Sequence, residues 1–266
     1  MISKLQSPAR SCYQPRPYRL TRSLQMPAGS ASHRTLAAVI FDVDGVLVDS
    51  PHERAWREAL QGFTDPARFT TEIYQAHVAG KPRLSGARAA LQQLGVANAV
   101  ERAEAYAEHK QQILEALIAA RDFTVFPDAL CFAQALAAKS IPLAVASSSK
   151  NADQMMRLIP LSQDQTLLDL FAVDVSGRDL SHGKPHPEIF LTAAQELGAA
   201  PATCLVVEDA PAGIQAAHAG GMMALGIARQ GDAALLRAAD ADLVVASLDD
   251  VELDALIEGQ LRAREK

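Results

Sequence analysis

Short apolar runs recur along this sequence and constrain its fold more than any other feature. The first run spans residues 36–41, and similar runs lie at 141–146, 172–175, 203–207, 223–227 and 242–246. Helical patterns lie near residues 128–138, 151–159, 188–198, 212–220, 232–239 and 250–263. Strands without polar alternation that are separated by helices form a parallel sheet covered on both faces. The sequence therefore predicts an α/β fold.

Residues 52–121 interrupt this alternation. They show successive helical patterns without a convincing strand, separated by Pro51, Pro66 and Pro82. Active sites of open α/β sheets lie beyond the carboxyl ends of the strands, and the insertion begins at such an end. We therefore predict a core formed by residues 35–50 and 123–266. An all-helical cap, residues 51–122, would cover the site as a lid.

Residues 1–34 differ from the rest in composition. They are rich in Ser, Pro, Arg and Gln and have no period, which predicts a disordered N-terminal extension. No acid precedes Asp42, whereas the basic residues before it are Lys4, Arg10, Arg16, Arg19, Arg22 and Arg34. An Arg-rich segment without acids is also typical of an organelle transit peptide. The composition does not separate that role from an extension without function.

Charge, apolar stretches and cysteine spacing indicate the partners and the compartment of this protein. The formal net charge is -6, and the early basic residues leave the remainder still more acidic, which argues against a nucleic-acid partner. No stretch approaches the roughly 18 consecutive apolar residues of a membrane span. Cys12, Cys131 and Cys204 are odd in number and widely spaced, as in a reducing compartment. We expect a cytoplasmic monomer or weak dimer without a membrane partner.

Two acids follow the first apolar run, in the sequence Asp42-Val43-Asp44-Gly45. Their spacing of two places both side chains on one face of the strand end. Two carboxylates there repel each other and need a cation, a proton or water, while Gly45 permits a sharp turn. The acids could instead cap a turn. Calcium loops of similar sequence lie between helices, however, and not after a strand.

A hydroxyl and an ammonium occupy two further loops of the predicted sheet. Ser147 follows the run at 141–146 and precedes a helix, so it could hold a phosphate oxygen or act as an ordinary helix cap. Lys184 lies beside Pro185, which stiffens the loop that presents it. The ammonium could neutralise phosphate charge, although such a lysine on its own is more often simply solvated.

Two histidines, His182 and His186, flank this lysine four residues apart. A zinc site on one helix would need both rings on the same helical face. Pro185 lies between them and argues against such a helix. We therefore interpret them as ordinary loop histidines.

A second acid pair, Glu208 and Asp209, ends the run at 203–207. Adjacent carboxylates suit a hard cation with oxygen ligands, although Asp209 could also cap the next helix. The carboxyl ends of parallel strands meet at one edge of a sheet, so all four stretches should converge. Together they supply what phosphoryl transfer with magnesium requires.

Four ordered motifs resemble those of the haloacid dehalogenase superfamily, namely Asp42-x-Asp44-Gly45, Ser147, Lys184 and Glu208-Asp209. The resemblance spans nearly the whole chain after the N-terminal extension. It implies a Rossmann-like core with a helical cap inserted after the first motif. The catalytic residues it implies are Asp42, Asp44, Ser147 and Lys184. The Mg²⁺ ligands it implies are Asp42, Asp44, Glu208 and Asp209.

Within that superfamily the chain most resembles the β-phosphoglucomutase group. Residues 52–56 look like the group's cap entry, and residues 80–83 resemble its cap loop, whose arginine holds the non-reacting phosphate. Residues 109–110 and 149–151 resemble two further substrate-contacting segments. The implied substrate-binding residues are His52, Arg83, Lys110, Ser149, Lys150 and Asn151. The stretch 49–52 is shorter than the group's usual linker.

The resemblance implies that Asp42 attacks phosphorus and becomes an aspartyl phosphate. Asp44 would protonate the leaving oxygen and then deprotonate the next attacker. If a sugar hydroxyl attacks, the enzyme is a mutase, which we expect; if water attacks, it is a sugar-phosphate phosphatase, the alternative. A non-catalytic sugar-phosphate-binding protein is a more distant alternative, against which the intact Asp42, Asp44 and Lys184 argue.

Overall fold

The computed structural model describes residues 35–265. Its strands are β1 (Ala38–Phe41), β2 (Val48–Asp49), β3 (Thr124–Val125), β4 (Leu143–Val145), β5 (Val173–Asp174), β6 (Cys204–Glu208), β7 (Met223–Ile227) and β8 (Leu243–Val245). Its α-helices are α1 (His52–Glu58), α2 (Thr71–His77), α3 (Arg83–Gln93), α4 (Ala99–Ala119), α5 (Pro127–Ala138), α6 (Ala152–Arg157), α7 (Glu188–Glu196), α8 (Pro211–Ala219), α9 (Ala233–Ala238) and α10 (Leu253–Ile257). Short 3₁₀ helices span Pro66–Arg68, Leu167–Leu170, Pro201–Thr203 and Leu248–Asp250.

Six strands form one parallel sheet in this part of the chain, in the order β5-β4-β1-β6-β7-β8. The first strand in sequence is thus central, with β4 on one side and β6 on the other. The predicted fold class, a parallel sheet with helices on both faces, is confirmed. The chain reverses its direction of crossover at β1, so the loops after β1, β4 and β6 lie side by side.

The central strand is apolar throughout because both of its faces are covered. Val39 and Phe41 belong to a cluster with residues of α5, α6 and α10. Ala38 and Ile40 point to the opposite face and pack with residues of α7, α8 and α9. Successive side chains of a strand alternate between faces, so a strand buried on both sides cannot show polar alternation.

The inserted segment forms a helical cap with an apolar cluster of its own. Trp56, Leu91 and Tyr106 are buried in it, and the Tyr106 hydroxyl donates to the Trp56 carbonyl at 2.8 Å. Helix α4 is 21 residues long and reaches beyond this cluster, because Leu114 and Ile118 pack with the core sheet. The domain boundaries given above stay a prediction, and α4 contributes to both clusters.

Two elements differ from the sequence-based expectation. Strands β2 and β3 form a two-stranded antiparallel ribbon where the chain enters and leaves the insertion. Each strand has only two residues, which is too short to show a periodic sequence pattern. The helix predicted at 250–263 is wrong in length, since α10 covers only Leu253–Ile257. Gly259 has a φ of 80° and ends the helix. The chain then runs back past the start of α10, where Ala263 forms an antiparallel bridge with Val251.

The prediction for residues 1–34 lies outside the described residues. Among residues 35–265, no helix combines the length and the apolar character that crossing a membrane would require.

Candidate active site

Loops at the carboxyl edge of the sheet bring four of the predicted residues together. Asp42 follows β1, Ser147 follows β4 and Asp209 follows β6, whereas Lys184 comes from the loop between β5 and α7. All four side chains are buried and line one cleft. Their convergence follows from parallel topology, which places the carboxyl ends of neighbouring strands at one edge.

Lys184 is the buried cation of this group. Its Nζ donates to Asp42 Oδ1 at 2.5 Å, to Glu208 Oε1, and to the Ala146 carbonyl at 3.4 Å. Burial alone would lower the pKa of Lys184, but the carboxylates of Asp42 and Glu208 outweigh it and hold the pKa above its ordinary value. The ammonium is therefore charged at any physiological pH, and it fixes one oxygen of Asp42.

Glu208 ends β6 at the sheet edge, as expected, and its carboxylate is bonded to protein donors. Its Oε1 accepts from Lys184, and its Oε2 accepts from the backbone N–H groups of Asp209 and Ala210, both at 3.0 Å. Burial raises the pKa of Glu208 to about 7. One oxygen is paired with the charged Lys184 ammonium, and Glu208 is not among the residues that line the cleft, so the structure does not support the predicted role of Glu208 as a direct metal ligand. These contacts make it the partner that orients Lys184.

Asp44 lies between the sheet edge and the cap. Its Oδ2 accepts from Ser147 Oγ at 3.3 Å, and its Oδ1 lies 3.4 Å from His52 Nε2. Within residues 35–265, Oδ1 is buried without a hydrogen-bond partner. Burial raises the pKa of Asp44. A carboxyl group with a raised pKa and an uncommitted oxygen is suited to donate and accept a proton.

Asp209 packs directly against Gly45. A Cβ on Gly45 would lie 2.0 Å from Asp209 Oδ2, and the φ of Gly45 is 80°, so only glycine fits. Burial, followed by the charges of Glu208 and Asp42, raises the pKa of Asp209 well above its ordinary value. The turn after Asp44 thus brings a third carboxylate towards the pair from β1.

The charges of this group do not balance. Three carboxyl groups, those of Asp42, Glu208 and Asp209, are buried beside the ammonium of Lys184, and the partly buried carboxyl group of Asp44 lies next to them. Burying charged groups without compensation is costly, and carboxylate oxygens are the ligands that a hard divalent cation prefers. The residues present therefore fit a magnesium ion at the Asp42–Asp209 side of the cleft.

The cap contributes a second polar group, centred on Lys110. Its Nζ donates to His52 Nδ1 at 2.9 Å and lies 5.0 Å from the centre of the Trp56 ring. His52 Nε2 in turn lies 3.2 Å from Ser149 Oγ, a contact that joins cap and core. Burial lowers the pKa of Lys110 to about 7 and that of His52 well below its ordinary value.

The remaining predicted substrate residues lie at the rim of the cleft. Arg83 is the first residue of α3 and is exposed. Lys150 is also exposed and pairs with Asp179 at 2.7 Å. Asn151 is buried, and its Oδ1 accepts from Gln111 Nε2 at 3.1 Å. All three line the same cleft as the carboxylates.

The cleft between cap and core has a volume of about 250 Å³. Its core wall carries Asp42, Asp44 and Asp209, and its cap wall carries Lys81, Arg83 and Lys110. One end of the cleft is therefore acidic and suited to a cation, whereas the other is basic and suited to an anion.

Sequence reasoning missed Arg229, which follows β7 at the same sheet edge. Its guanidinium donates to the carbonyls of Gly45 and Val46, both at 3.1 Å, and to Asp128 Oδ2 at 3.1 Å. Arg229 thereby holds the turn that follows Asp44. A search for polar residues after every predicted strand, and not only after four of them, would have found it.

Sequence reasoning also missed a contact that closes the cleft. Ser148 Oγ donates to the Gly80 carbonyl at 3.0 Å, which joins the loop after β4 to the cap. No sequence pattern indicates this bond, because its acceptor is a backbone oxygen.

A parallel sheet with an inserted helical cap, and an Asp, Ser, Lys and Asp set at its carboxyl edge, defines an enzyme of the haloacid dehalogenase type. A family model described as haloacid dehalogenase-like hydrolase matches residues 36–221. This chain belongs to that family.

Relatives within the family include proteins named as phosphomutases and proteins named as phosphatases. The β-phosphoglucomutase of Bacillus subtilis (strain 168) is 32% identical over 245 residues, which cover 86% of this chain and 99% of the relative. The phosphorylated carbohydrates phosphatase of Thermotoga maritima is 28% identical over 190 residues, covering 70% of this chain and 82% of the relative.

A solved structure has the same fold. The archaeal β-phosphoglucomutase from Pyrococcus sp. strain ST 04 matches with a TM-score of 0.65 and 32% identity, covering 83% of this chain and 96% of that one. The chain is therefore an enzyme of this family, a phosphomutase or a phosphatase.

Proposed function

We propose that this protein is a magnesium-dependent phosphomutase of the β-phosphoglucomutase type, which acts on a small sugar phosphate. The observation that carries the proposal is the two-ended cleft. A mutase that works through a bisphosphate must hold two phosphate groups at once. One would lie at Asp42, and the other would lie against Arg83 and Lys110 on the cap wall.

The proposed reaction begins with attack by Asp42. Lys184 holds Oδ1 of Asp42, which leaves Oδ2 to form the new bond to phosphorus. As the bond between phosphorus and the sugar oxygen breaks, Asp42 becomes an aspartyl phosphate. Ser147 and Lys184 are the donors that would contact the other phosphate oxygens as charge spreads over them.

Asp44 is the proposed acid and base. Its raised pKa keeps it protonated at a higher pH than an ordinary carboxyl group, so it can give its proton to the departing sugar oxygen. The resulting carboxylate then takes a proton from the hydroxyl group that attacks the aspartyl phosphate. Phosphorus passes to the new oxygen, Asp42 is released, and Asp44 is protonated again.

The proposed magnesium site uses the carboxylates of Asp42 and Asp209 and the main-chain carbonyl of Asp44. The bound ion would offset the repulsion between an anionic nucleophile and an anionic substrate. Glu208 would act on this site only through Lys184, because it is paired with that ammonium and does not line the cleft.

Arg83, Lys110, Ser149 and Lys150 are the proposed contacts to the second phosphate. His52 and Asn151 would position them, since His52 accepts from Lys110 and lies beside Ser149. These contacts would keep the bisphosphate bound while it reorients and presents its other phosphate to Asp42. A phosphatase has no need for such contacts.

A sugar-phosphate phosphatase is the second candidate, supported by the name of the Thermotoga relative and by an observation in this chain. Pro51 directly precedes α1, so the segment from Asp49 to His52 is short. A short connection limits how the cap can close and exclude water from the aspartyl phosphate.

The two candidates are separated by adding β-glucose 1-phosphate with a trace of glucose 1,6-bisphosphate and Mg²⁺. We expect glucose 6-phosphate as the product. Free phosphate as the sole product would eliminate the mutase. An Arg83→Ala variant is the matched control, since it should lose mutase turnover while it retains release of phosphate from a monophosphate ester.

A cytoplasmic location and a monomeric or weakly dimeric state stay predictions. Size-exclusion chromatography with light scattering tests the second of these. An N-terminal mass measurement on the native protein would show whether residues 1–34 are removed.

A further inference from the structure

The loop between β5 and α7 brings two histidines and a glutamate together at the surface. Ligand atoms of His182, His186 and Glu188 all lie within 4.8 Å of one another. The sequence predicts ordinary loop histidines here, because Pro185 argues against a continuous helix that would carry both rings. The loop instead turns back at Pro185, so that the two imidazole rings stack with their centres 4.2 Å apart.

The distances suit a tetrahedral metal site. His182 Nδ1 lies 3.0 Å from Glu188 Oε2, and His186 Nδ1 lies 3.9 Å from the same oxygen. Ligands about 2.0–2.1 Å from a tetrahedral zinc ion lie about 3.4 Å from each other. The two histidine–glutamate distances need to change by only about half an ångström, and the third separation, at most 4.8 Å, closes by rotation of exposed side chains.

The glutamate is already held in position. Its Oε1 accepts from the backbone N–H of Ser181 at 3.0 Å, and its Oε2 accepts from that of His182 at 2.8 Å. Such outer contacts orient a carboxylate ligand and increase metal affinity. The backbone N–H of Glu188 donates to His186 Nδ1 at 3.3 Å, and a metal ion would replace that weak contact.

We propose that His182, His186 and Glu188 form a second metal site, which takes a transition-metal ion such as Zn²⁺ and completes its coordination with water. Two imidazole nitrogens select such an ion over Mg²⁺, which prefers oxygen ligands. The side chains of His182 and His186 are 62% and 49% exposed, so the ion enters directly from solvent. This site is separate from the proposed magnesium site and does not depend on the proposed function.

The position of this site connects it to the catalytic cleft. Lys184 lies between the two histidines in sequence, and His182 itself lines the cleft. Gly183 packs against the cap, where an added Cβ would lie 2.1 Å from Pro82 Cγ. A metal ion bound here would therefore fix the loop that carries Lys184 and on which the cap rests.

The test is a titration of the full chain with Zn²⁺ against a chromophoric chelator, with Mg²⁺ at millimolar concentration throughout. We expect one zinc site of micromolar affinity in the wild type. His182→Ala and His186→Ala should each weaken it by about tenfold or more, and the double variant should lose one equivalent of bound zinc. Co²⁺ in place of Zn²⁺ should give the visible absorption of a tetrahedral site, which the double variant lacks.

His218→Ala is the matched control, because His218 is also a partly exposed histidine, paired with Asp242 at 3.0 Å. It should bind zinc as the wild type does. Since Cys12 and His33 could bind zinc too, the site is assigned from the difference between the wild type and the double variant. Equal zinc stoichiometry and affinity in those two proteins, with unchanged circular dichroism, would overturn the proposal.

Discussion

Lys184 on the sheet edge and Lys110 on the cap are both buried, 3% and 2% exposed, yet their surroundings differ. Lys184 contacts the carboxylates of Asp42 and Glu208, which hold its pKa above the ordinary value. Lys110 contacts the neutral ring of His52, and burial lowers its pKa to about 7. The core wall therefore supplies a permanent charge, whereas the charge on the cap wall depends on pH and on the anion that binds.

This difference separates two tasks of the cleft. A group that stabilises a transition state works best when its charge and position are fixed before the substrate arrives. A group that must first hold and then release a bisphosphate works best when it becomes protonated only while the anion is bound.

The largest effect should come from the core wall at Asp42. Asp42→Asn removes the proposed nucleophile without changing the shape of the side chain, so we expect turnover to fall by about 10⁴-fold or more. Steady-state kinetics measures this, and mass spectrometry should find the aspartyl phosphate only in the wild type. Turnover within about tenfold of the wild type would remove Asp42 from the mechanism.

Asp44→Asn should have the next largest effect, about 10³-fold on kcat, because it removes the proton donor while keeping the contact with Ser147. Substrates with a better leaving group, such as 4-nitrophenyl phosphate, need less proton donation. Their rate of aspartyl phosphate formation should fall much less. An equal loss for good and poor leaving groups would contradict the assignment of Asp44 as the acid.

The two buried lysines should differ in stability when each is replaced by Met. Lys184→Met leaves buried carboxylates without their cation and should lower the free energy of unfolding by about 3 kcal/mol. Lys110→Met removes a lysine whose charge is already disfavoured by burial, so the free energy of unfolding should change by no more than about 1 kcal/mol. Urea unfolding in EDTA measures both. Equal losses would mean that the two walls do not differ as described.

The charge on the cap wall should appear as a pH dependence of KM. The pKa of Lys110 is lowered to about 7, so its charged form, the one that binds phosphate, is present below that pH and lost above it. We expect KM for the sugar phosphate to rise by up to about tenfold per pH unit above pH 7. Lys110→Arg keeps its charge and should give a flat profile. A lysine of this kind titrates between roughly pH 6 and 9. A wild-type KM that does not change over that range would exclude phosphate binding by the charged form of Lys110.

Lys150→Ala should have the smallest effect. The Lys150 side chain is 67% exposed and its partner Asp179 is 90% exposed, so solvent screens the pair. Solvent screens its proposed contact with the second phosphate in the same way, so we expect KM to rise by no more than about fivefold and the unfolding midpoint to stay unchanged. A large rise in KM would show that the cap closes further onto this lysine when the substrate binds.

The residues of the core wall could be predicted from the sequence because topology alone brings them together. Asp42, Ser147 and Asp209 each follow a buried strand of one parallel sheet, so the strand pattern determines which edge they share. The same reasoning does not distinguish Glu208 from Asp209. The last residue of a strand and the first residue after it point in different directions, and a sequence does not say which of them faces the cleft.

The cap wall could be predicted only by resemblance. Lys110 lies in the middle of the 21-residue helix α4, and its contact with His52 spans 58 positions. Helical periodicity indicates which residues share a face, but it does not say where one helix crosses another. The cluster at His182 was missed for a related reason, since loop geometry leaves no periodic pattern in the sequence.

The bonds from Arg229 to the carbonyls of Gly45 and Val46 have a consequence for motion. They anchor the peptide that follows Asp44 to the loop after β7, so we expect the hinge of any cap movement to lie beyond Val46, at the β2–β3 ribbon. Asp44 and Asp42 would then travel together through every opening of the enzyme. Asp44, the proposed proton donor, would keep its position relative to the nucleophile Asp42 even while product and substrate exchange.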